Sequence, residues 1–212
     1  RGEPTLFVGE TGGAKTALAE YIVQTYFGVD PEFVSAYGDV NSYQLMGKQE
    51  LREENGASVS EFVPGPIIRA MEQGKPLILD EINAMPPELL KRLNKIMQLR
   101  PGDRFTVQED SGWVVKVQPG FCIIATANEK SKRYKGVDDL SVEFQNRFGA
   151  NINRVRYPDH DKGYDEYPRE NAQLAMAAVA TKRGELPPDI DEGDFENFVR
   201  AARLSQQIFS GT

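Results

Sequence analysis

The chain has 212 residues, 40% hydrophobic and 27% charged, which excludes wholesale disorder and suits one sizeable domain with a small appendage. Lys and Arg number 25 against 32 Asp and Glu, a formal charge of −7 at pH 7, so the surface as a whole does not attract nucleic acid. The single cysteine, Cys122, excludes an intramolecular disulfide, the single histidine leaves little for a zinc site, and no apolar run approaches the ~20 residues of a membrane helix. A cytoplasmic location is the default expectation. The chain starts at Arg1 and reaches an apolar segment within a few residues, so it reads as part of a longer protein.

Short β-like runs alternate with helix-like stretches, the pattern of an α/β fold with a mainly parallel sheet. Thr5-Leu6-Phe7-Val8 is the first strand. A helix follows, with Leu18, Ile22 and Tyr26 recurring at helical spacing. Phe33-Val34-Ser35-Ala36-Tyr37 reads as the second strand, and residues 49–60 are too polar for core, so they form a projecting loop or hairpin. Residues 67–72 look helical and stop at Gly74. Leu77-Ile78-Leu79 is the most strand-like run. After Pro86-Pro87 a helix carries Leu89, Leu90, Leu93, Ile96 and Met97 on one face.

Apolar residues alternate from 105 to 117 around Asp110-Ser111-Gly112, a hairpin signal. Phe121-Cys122-Ile123-Ile124-Ala125 is another buried strand, and residues 151–156 supply the last. Beyond Pro158 the composition changes. Asp159-His160-Asp161-Lys162-Gly163 reads as a linker, and helices are expected over about 168–184 and 194–209, the second with Phe195, Phe198, Val199, Ala202 and Ile208 inward.

Gly9-Glu10-Thr11-Gly12-Gly13-Ala14-Lys15-Thr16 lies between a predicted strand and a predicted helix. A strand, a Gly-rich turn and Lys-Thr opening a helix is what a triphosphate cradle requires: backbone N–H groups face the phosphates, Lys15 reaches the β/γ-phosphates and the Thr16 hydroxyl sits on Mg²⁺. The usual pattern has Gly before the Lys; Ala14 either crowds the cradle or occupies a backbone that accepts alanine. The plainer reading is a surface turn with a solvated Lys15. Leu77-Ile78-Leu79-Asp80-Glu81 adds two carboxylates at a strand's C-terminal end, where ligands of open α/β sheets gather. Asp80 suits Mg²⁺ and Glu81 suits polarising a water for attack on the γ-phosphorus. Alone such a pair only caps the next segment; with the upstream cradle it points to phosphoryl transfer.

With these motifs in order, the chain resembles the AAA+ ATPase superfamily, and within it the MoxR-like and dynein/midasin-related members. Asp39 to Gly47, the charged 49–60 stretch resembling a helix-2 insertion, Phe62-Val63-Pro64-Gly65-Pro66-Ile67, Ile82-Asn83-Ala84-Met85-Pro86 and the 102–118 hairpin all carry the likeness. It implies an α/β P-loop NTPase with a five-stranded parallel sheet over residues 1–158, then a partial helical lid over 159–212. In Ala125-Thr126-Ala127-Asn128 the Asn resembles the family's first sensor, and Arg147 resembles its arginine finger, acting on a neighbouring subunit's nucleotide. Arg200 and Arg203 read as exposed helix residues, the second sensor being expected beyond Thr212. Lys130-Ser131-Lys132-Arg133-Tyr134-Lys135 is a basic run, usually a solvated loop, and Trp113 fits hairpin packing better than a substrate contact. The likeness implies Mg-ATP hydrolysis in a homo-oligomeric ring, a hexamer by preference, which remodels or assembles a protein partner; the acidic charge and the lack of a long apolar run argue against direct nucleic-acid and membrane contact. Two alternatives stay open: a nucleic-acid-associated NTPase motor of the same clade, or a nucleotide-binding structural module without turnover.

Overall fold

The computed structural model describes residues 2–36, 40–54, 57–110, 112–129, 140–163, 166–180, 185 and 192–210. In chain order these form β1 (Thr5–Gly9), α1 (Lys15–Phe27), β2 (Glu32–Ser35), α2 (Ser42–Met46), β3 (Gly47–Glu54), β4 (Ala57–Pro64), α3 (Pro66–Gln73) and β5 (Pro76–Asp80). There follow α4 (Pro87–Ile96), β6 (Arg104–Thr106), β7 (Val114–Lys116), β8 (Cys122–Asn128), α5 (Val142–Gln145), β9 (Ile152–Val155), α6 (Arg169–Val179) and α7 (Glu192–Ser210). The chain divides into two units, Arg1–Val155 and Arg156–Thr212.

The first unit is built on a five-stranded parallel sheet in the order β2-β5-β8-β1-β9. Its inner strands read as unbroken apolar runs because both of their faces are covered. The two-residue period of a strand divides each run between two cores. Leu6, Leu77, Leu79, Ile123 and Ala125 face the large core, which holds Leu89, Leu93 and Ile96 of α4. Phe7, Ile78 and Ile124 face a smaller one with Ala19 and Val23 of α1. Each fully buried Leu or Ile contributes about 1.5–3 kcal/mol relative to exposure.

The helix after β2 is short. Asn41 and Gln44 close a capping box at the start of α2, and the chain then leaves in the β3–β4 hairpin, paired from Gly47↔Pro64 to Glu54↔Ala57, before α3 begins at Pro66. Of the two forms expected for residues 49–60, this is the hairpin. At the far end α3 stops at Gly74, with φ 65, where an added Cβ would lie 2.2 Å from the Pro119 carbonyl oxygen. Both the left-handed turn and the close approach require glycine.

The second hairpin, β6–β7, buries Phe105, Val107, Val115 and Val117 against the large core. Its turn is clasped to the first hairpin. Gln49 Nε2 donates to Asp110 Oδ1 at 2.8 Å, Ser42 Oγ donates to Glu109 Oε1 at 2.8 Å, and Arg92 of α4 pairs with Glu109 at 2.7 Å. Burial by itself would raise the Glu109 carboxyl, but the bonds from Arg92 and Ser42 outweigh it and hold the group below the ordinary carboxylate value. Trp113 meets Phe62 edge-on, 5.5 Å between centroids, so it is a packing aromatic joining the two hairpins.

Three details of the sequence reading need correction. The inward line of α1 is Lys15, Ala19 and Val23, while Leu18 and Ile22 are only partly covered and Tyr26 is 78% exposed. Lys15 faces back into its loop, and positions four and eight residues later share that side. In α7 Val199 is buried, but Phe198, Ala202 and Ile208 are exposed, because α6 covers only a narrow stripe of the helix. Arg203 lies on that stripe, only 5% exposed, and its Nη2 donates to the carbonyl oxygens of Lys162 and Gly163.

The 159–163 segment is likewise more than a linker. Asp159, buried with φ 54, accepts the backbone N–H groups of Glu170 and Asn171 in the first turn of α6. A carboxylate ten residues upstream thus does the capping that Pro168, at the N-cap, lacks. His160 Nε2 lies 2.6 Å from Arg156 Nη1.

Candidate functional site

Parallel strands put the C-terminal ends of β1, β5 and β8 on one edge of the sheet, and their register sets Gly9 beside Asn128. The loop leaving β1 passes so close to β9 that a Cβ on Gly9 would stand 2.1 Å from the Val155 carbonyl oxygen. Gly12 has φ 83, and Ala14, the N-cap of α1, has φ 56 and ψ 23. The backbone before Lys15 is therefore in the left-handed region, where an L-residue costs roughly 1–2 kcal/mol. Ala14 adopts the conformation that glycine favours.

Lys15 is buried at the head of α1, its Nζ donating to the Gly9 carbonyl oxygen at 3.1 Å and that of Glu10 at 2.7 Å. Burial lowers its pKa even though the charges of Asp80, Glu81, Glu129 and Glu10 act in the raising direction. A buried ammonium so shifted is under-compensated, and an anion entering the loop would stabilise it.

Opposite Lys15, Asp80 Oδ1 accepts hydroxyl hydrogens from Thr16 and from Thr126, both at 2.6 Å. Glu81 follows with φ 55; its N–H donates to Thr126 Oγ1 at 2.9 Å, and its carboxylate accepts from Asn128 Nδ2 at 3.0 Å. These groups and loop residues 11–17 surround one cavity of about 320 Å³. Gly9 and Glu10 stand behind it as the carbonyls that hold Lys15. Among the described residues no group of three or more His, Cys, Asp or Glu could hold a metal ion. Within the cavity the paired Thr16 hydroxyl and Asp80 carboxylate form an all-oxygen set that suits Mg²⁺ completed by phosphate oxygens and water.

Arg147 does not line this cavity. It follows α5, with Nη2 3.5 Å from Glu143 Oε1 and a buried Nε that has no hydrogen-bond partner among the described residues. Arg154, alternating along β9, pairs with Glu129 at 2.6 Å. The basic run at 130–135 and residues 37–39 lie outside the described residues. Sequence reasoning passed over two polar groups. Thr126, wholly buried, and Asn83, 8% exposed, were part of quoted motifs but carried no role. The available signal was polarity out of place: a hydroxyl inside a buried strand must have a partner.

With this geometry in view, the likenesses to known proteins are informative. The family model described as AAA domain (dynein-related subfamily) matches residues 4–148. YojN of Bacillus subtilis, an uncharacterised protein, is 34% identical over 147 residues, covering 69% of this chain and 46% of its own length. An uncharacterised protein of Staphylococcus aureus strain USA300 is 35% identical over 159 residues, 74% of this chain and 56% of that one. The chain therefore spans about half the length of the curated relatives it matches. Among solved structures, a candidate ATPase of Cytophaga hutchinsonii superposes with TM-score 0.56 at 19% identity, over 94% of this chain and 53% of that one. NtrX of Brucella abortus, solved in complex with ADP, gives 0.56 at 16% identity, over 95% and 45%. At such identities the structures attest the fold alone, whereas the family model covers most of the first unit. The chain belongs to the dynein-related subfamily of AAA domains, with the five-stranded parallel sheet of a P-loop nucleotide-binding fold.

Proposed function

We propose that the chain is the Mg²⁺-dependent ATPase module of a ring-forming, MoxR-type protein that remodels or assembles a protein partner. The observation that carries the ATPase reading is the convergence of Lys15, Thr16, Asp80, Glu81 and Asn128 on one cavity of about 320 Å³. In this reading loop residues 9–16 cradle the phosphates through backbone N–H groups. Lys15 leaves the Gly9 and Glu10 carbonyls for the β/γ-phosphate oxygens, gaining the countercharge its burial lacks. Thr16 and Asp80 would hold Mg²⁺, which would supply positive charge against the phosphate oxygens.

Glu81 accepts a proton from the attacking water as its oxygen bonds to the γ-phosphorus and the bond to the bridging oxygen breaks, ADP leaving with that electron pair. Asn128, hydrogen-bonded to the Glu81 carboxylate, orients the base and, once it releases it, the water. Arg147 of one copy reaches the nucleotide of the next and stabilises charge on the leaving phosphoryl group. Its place outside the cavity of its own chain, and a buried Nε without a hydrogen-bond partner among the described residues, accord with a role on another subunit. The paired hairpins, one with Leu51 79% exposed, supply the surface by which turnover would act on a partner protein.

The test is Mg-dependent ATP and GTP turnover against protein concentration, beside Glu81→Gln and Arg147→Ala. ATP hydrolysis should rise faster than linearly with concentration and fall by at least about a hundredfold in both variants. Turnover linear in concentration and indifferent to Arg147→Ala would remove the shared site, and failure to bind Mg-ATP would remove the ATPase reading.

A further inference from the structure

The backbone pairing of β5 with β8 ends at Leu79↔Ala125, although β8 continues to Asn128. It ends because β5 gives way to a turn: Glu81 has φ 55, and a short 3₁₀ segment follows over Ile82–Ala84. Across the gap, side chains take the place of the missing ladder. The Glu81 N–H donates to Thr126 Oγ1 at 2.9 Å, and the Thr126 hydroxyl hands its own hydrogen to Asp80 Oδ1 at 2.6 Å. One step further on, Asn83 Nδ2 donates to the Asn128 carbonyl oxygen at 2.9 Å while the Asn128 N–H donates to Asn83 Oδ1 at 3.2 Å. That two-bond exchange is what facing backbone amides make in an antiparallel pair.

Thr126 sits at the middle of this arrangement, its side chain wholly covered at the wall of the cavity. As acceptor it fastens the residue whose left-handed backbone aims the Glu81 carboxylate towards Asn128. As donor it fixes the rotamer of Asp80, whose Oδ1 Thr16 also engages. We infer that Thr126 is a positioning residue that sets the Asp80 and Glu81 carboxylates together through one hydroxyl. The inference rests on the ATPase reading above for its consequence and on the hydrogen bonds alone for its geometry. Valine has the same shape without the hydroxyl; it leaves the Glu81 N–H without its acceptor and removes one of the two hydroxyl bonds that hold Asp80 Oδ1. Serine keeps the hydroxyl.

Thr126→Val and Thr126→Ser are to be compared with the unaltered chain by two independent readouts. The first needs no nucleotide: amide exchange of Glu81 should speed up by about tenfold or more in Thr126→Val and stay near the original rate in Thr126→Ser. The second is the split between kcat and KM together with the Mg²⁺ concentration for half-activation. Thr126→Val should lose about tenfold or more in kcat with KM for ATP within about twofold, and need several-fold more Mg²⁺, while Thr126→Ser recovers to within about threefold. Unchanged exchange in Thr126→Val, or equal impairment of the two variants, would overturn the inference. If the unaltered chain neither binds nor hydrolyses Mg-ATP, the ATPase reading fails, and the exchange rates still decide whether Thr126 fastens Glu81.

Discussion

At the scale of single residues, the phosphate-binding loop combines a local rule with a local violation of it. Ala14 stands in a left-handed backbone, with φ 56, where glycine is at ease. Ala14→Gly removes that strain at some cost in unfolded-chain entropy and should stabilise the protein by about 1 kcal/mol, a rise in melting temperature of about 2–4 °C. Thermal unfolding of the two chains checks it; a lower melting temperature would show that the alanine methyl contributes packing that outweighs its strain. The motif itself was legible because its chemistry is contiguous. Thr126 and Asn83 were not, because the groups they serve, Asp80, Glu81 and Asn128, are brought to them by strand pairing rather than by spacing.

At the scale of elements, the two hairpins and the first helix of the second unit depend on polar contacts that periodicity does not reveal. Glu109 collects Ser42, at the head of α2, and Arg92, on α4, so the turn of the second hairpin is tied to the root of the first. Asp159 does the same for α6, accepting two first-turn N–H groups and the Asn171 side-chain amide. Its burial acts to raise the pKa. The Asn171 and Glu170 backbone bonds, the Asn171 amide and the Arg203 charge together prevail, and the carboxyl is held below its ordinary value.

A depressed carboxyl pKa means that the unfolded chain takes up the proton first on acidification. The contribution is therefore complete above the unfolded value of about 3.9 and is lost as pH falls through the lower folded value. Asp159→Asn keeps the tolerance for positive φ but removes the charge and one accepting oxygen. It should cost about 1 kcal/mol near neutral pH, with faster amide exchange in α6, and the difference should shrink below about pH 4. Equal exchange in α6 at neutral pH would show that Asp159 does not hold the helix.

At the scale of the whole molecule, the described residues contain no helix long and apolar enough to cross a membrane. The proposed ring makes its own prediction. A site built from two copies needs Glu81 from one and Arg147 from the other, so Glu81→Gln and Arg147→Ala chains, each inactive alone, should regain part of the original ATPase activity when mixed and allowed to assemble. Their ATPase rates, separately and together, check it. No recovery in mixed assemblies, demonstrated by co-purification of differently tagged chains, would place both groups in one subunit.

What the sequence by itself determined is what lies close along the chain. An apolar run covered on both faces must be an inner strand, Pro and Gly mark where helices start and stop, and the loop residues 9–16 and the Asp80-Glu81 pair state their chemistry by adjacency. From these the α/β class and the 102–118 hairpin were readable, and the resemblance that the motifs carry implied the five-stranded sheet and the family. Only the tertiary structure decided the rest. It buried Arg203, tied the hairpins through Glu109, let Asp159 cap a helix ten residues away and put the Thr126 hydroxyl between two carboxylates. The physical reason is the same in each case: a polar side chain signals its own need for a partner, and only the packing of distant segments, excluding water, determines which group meets that need.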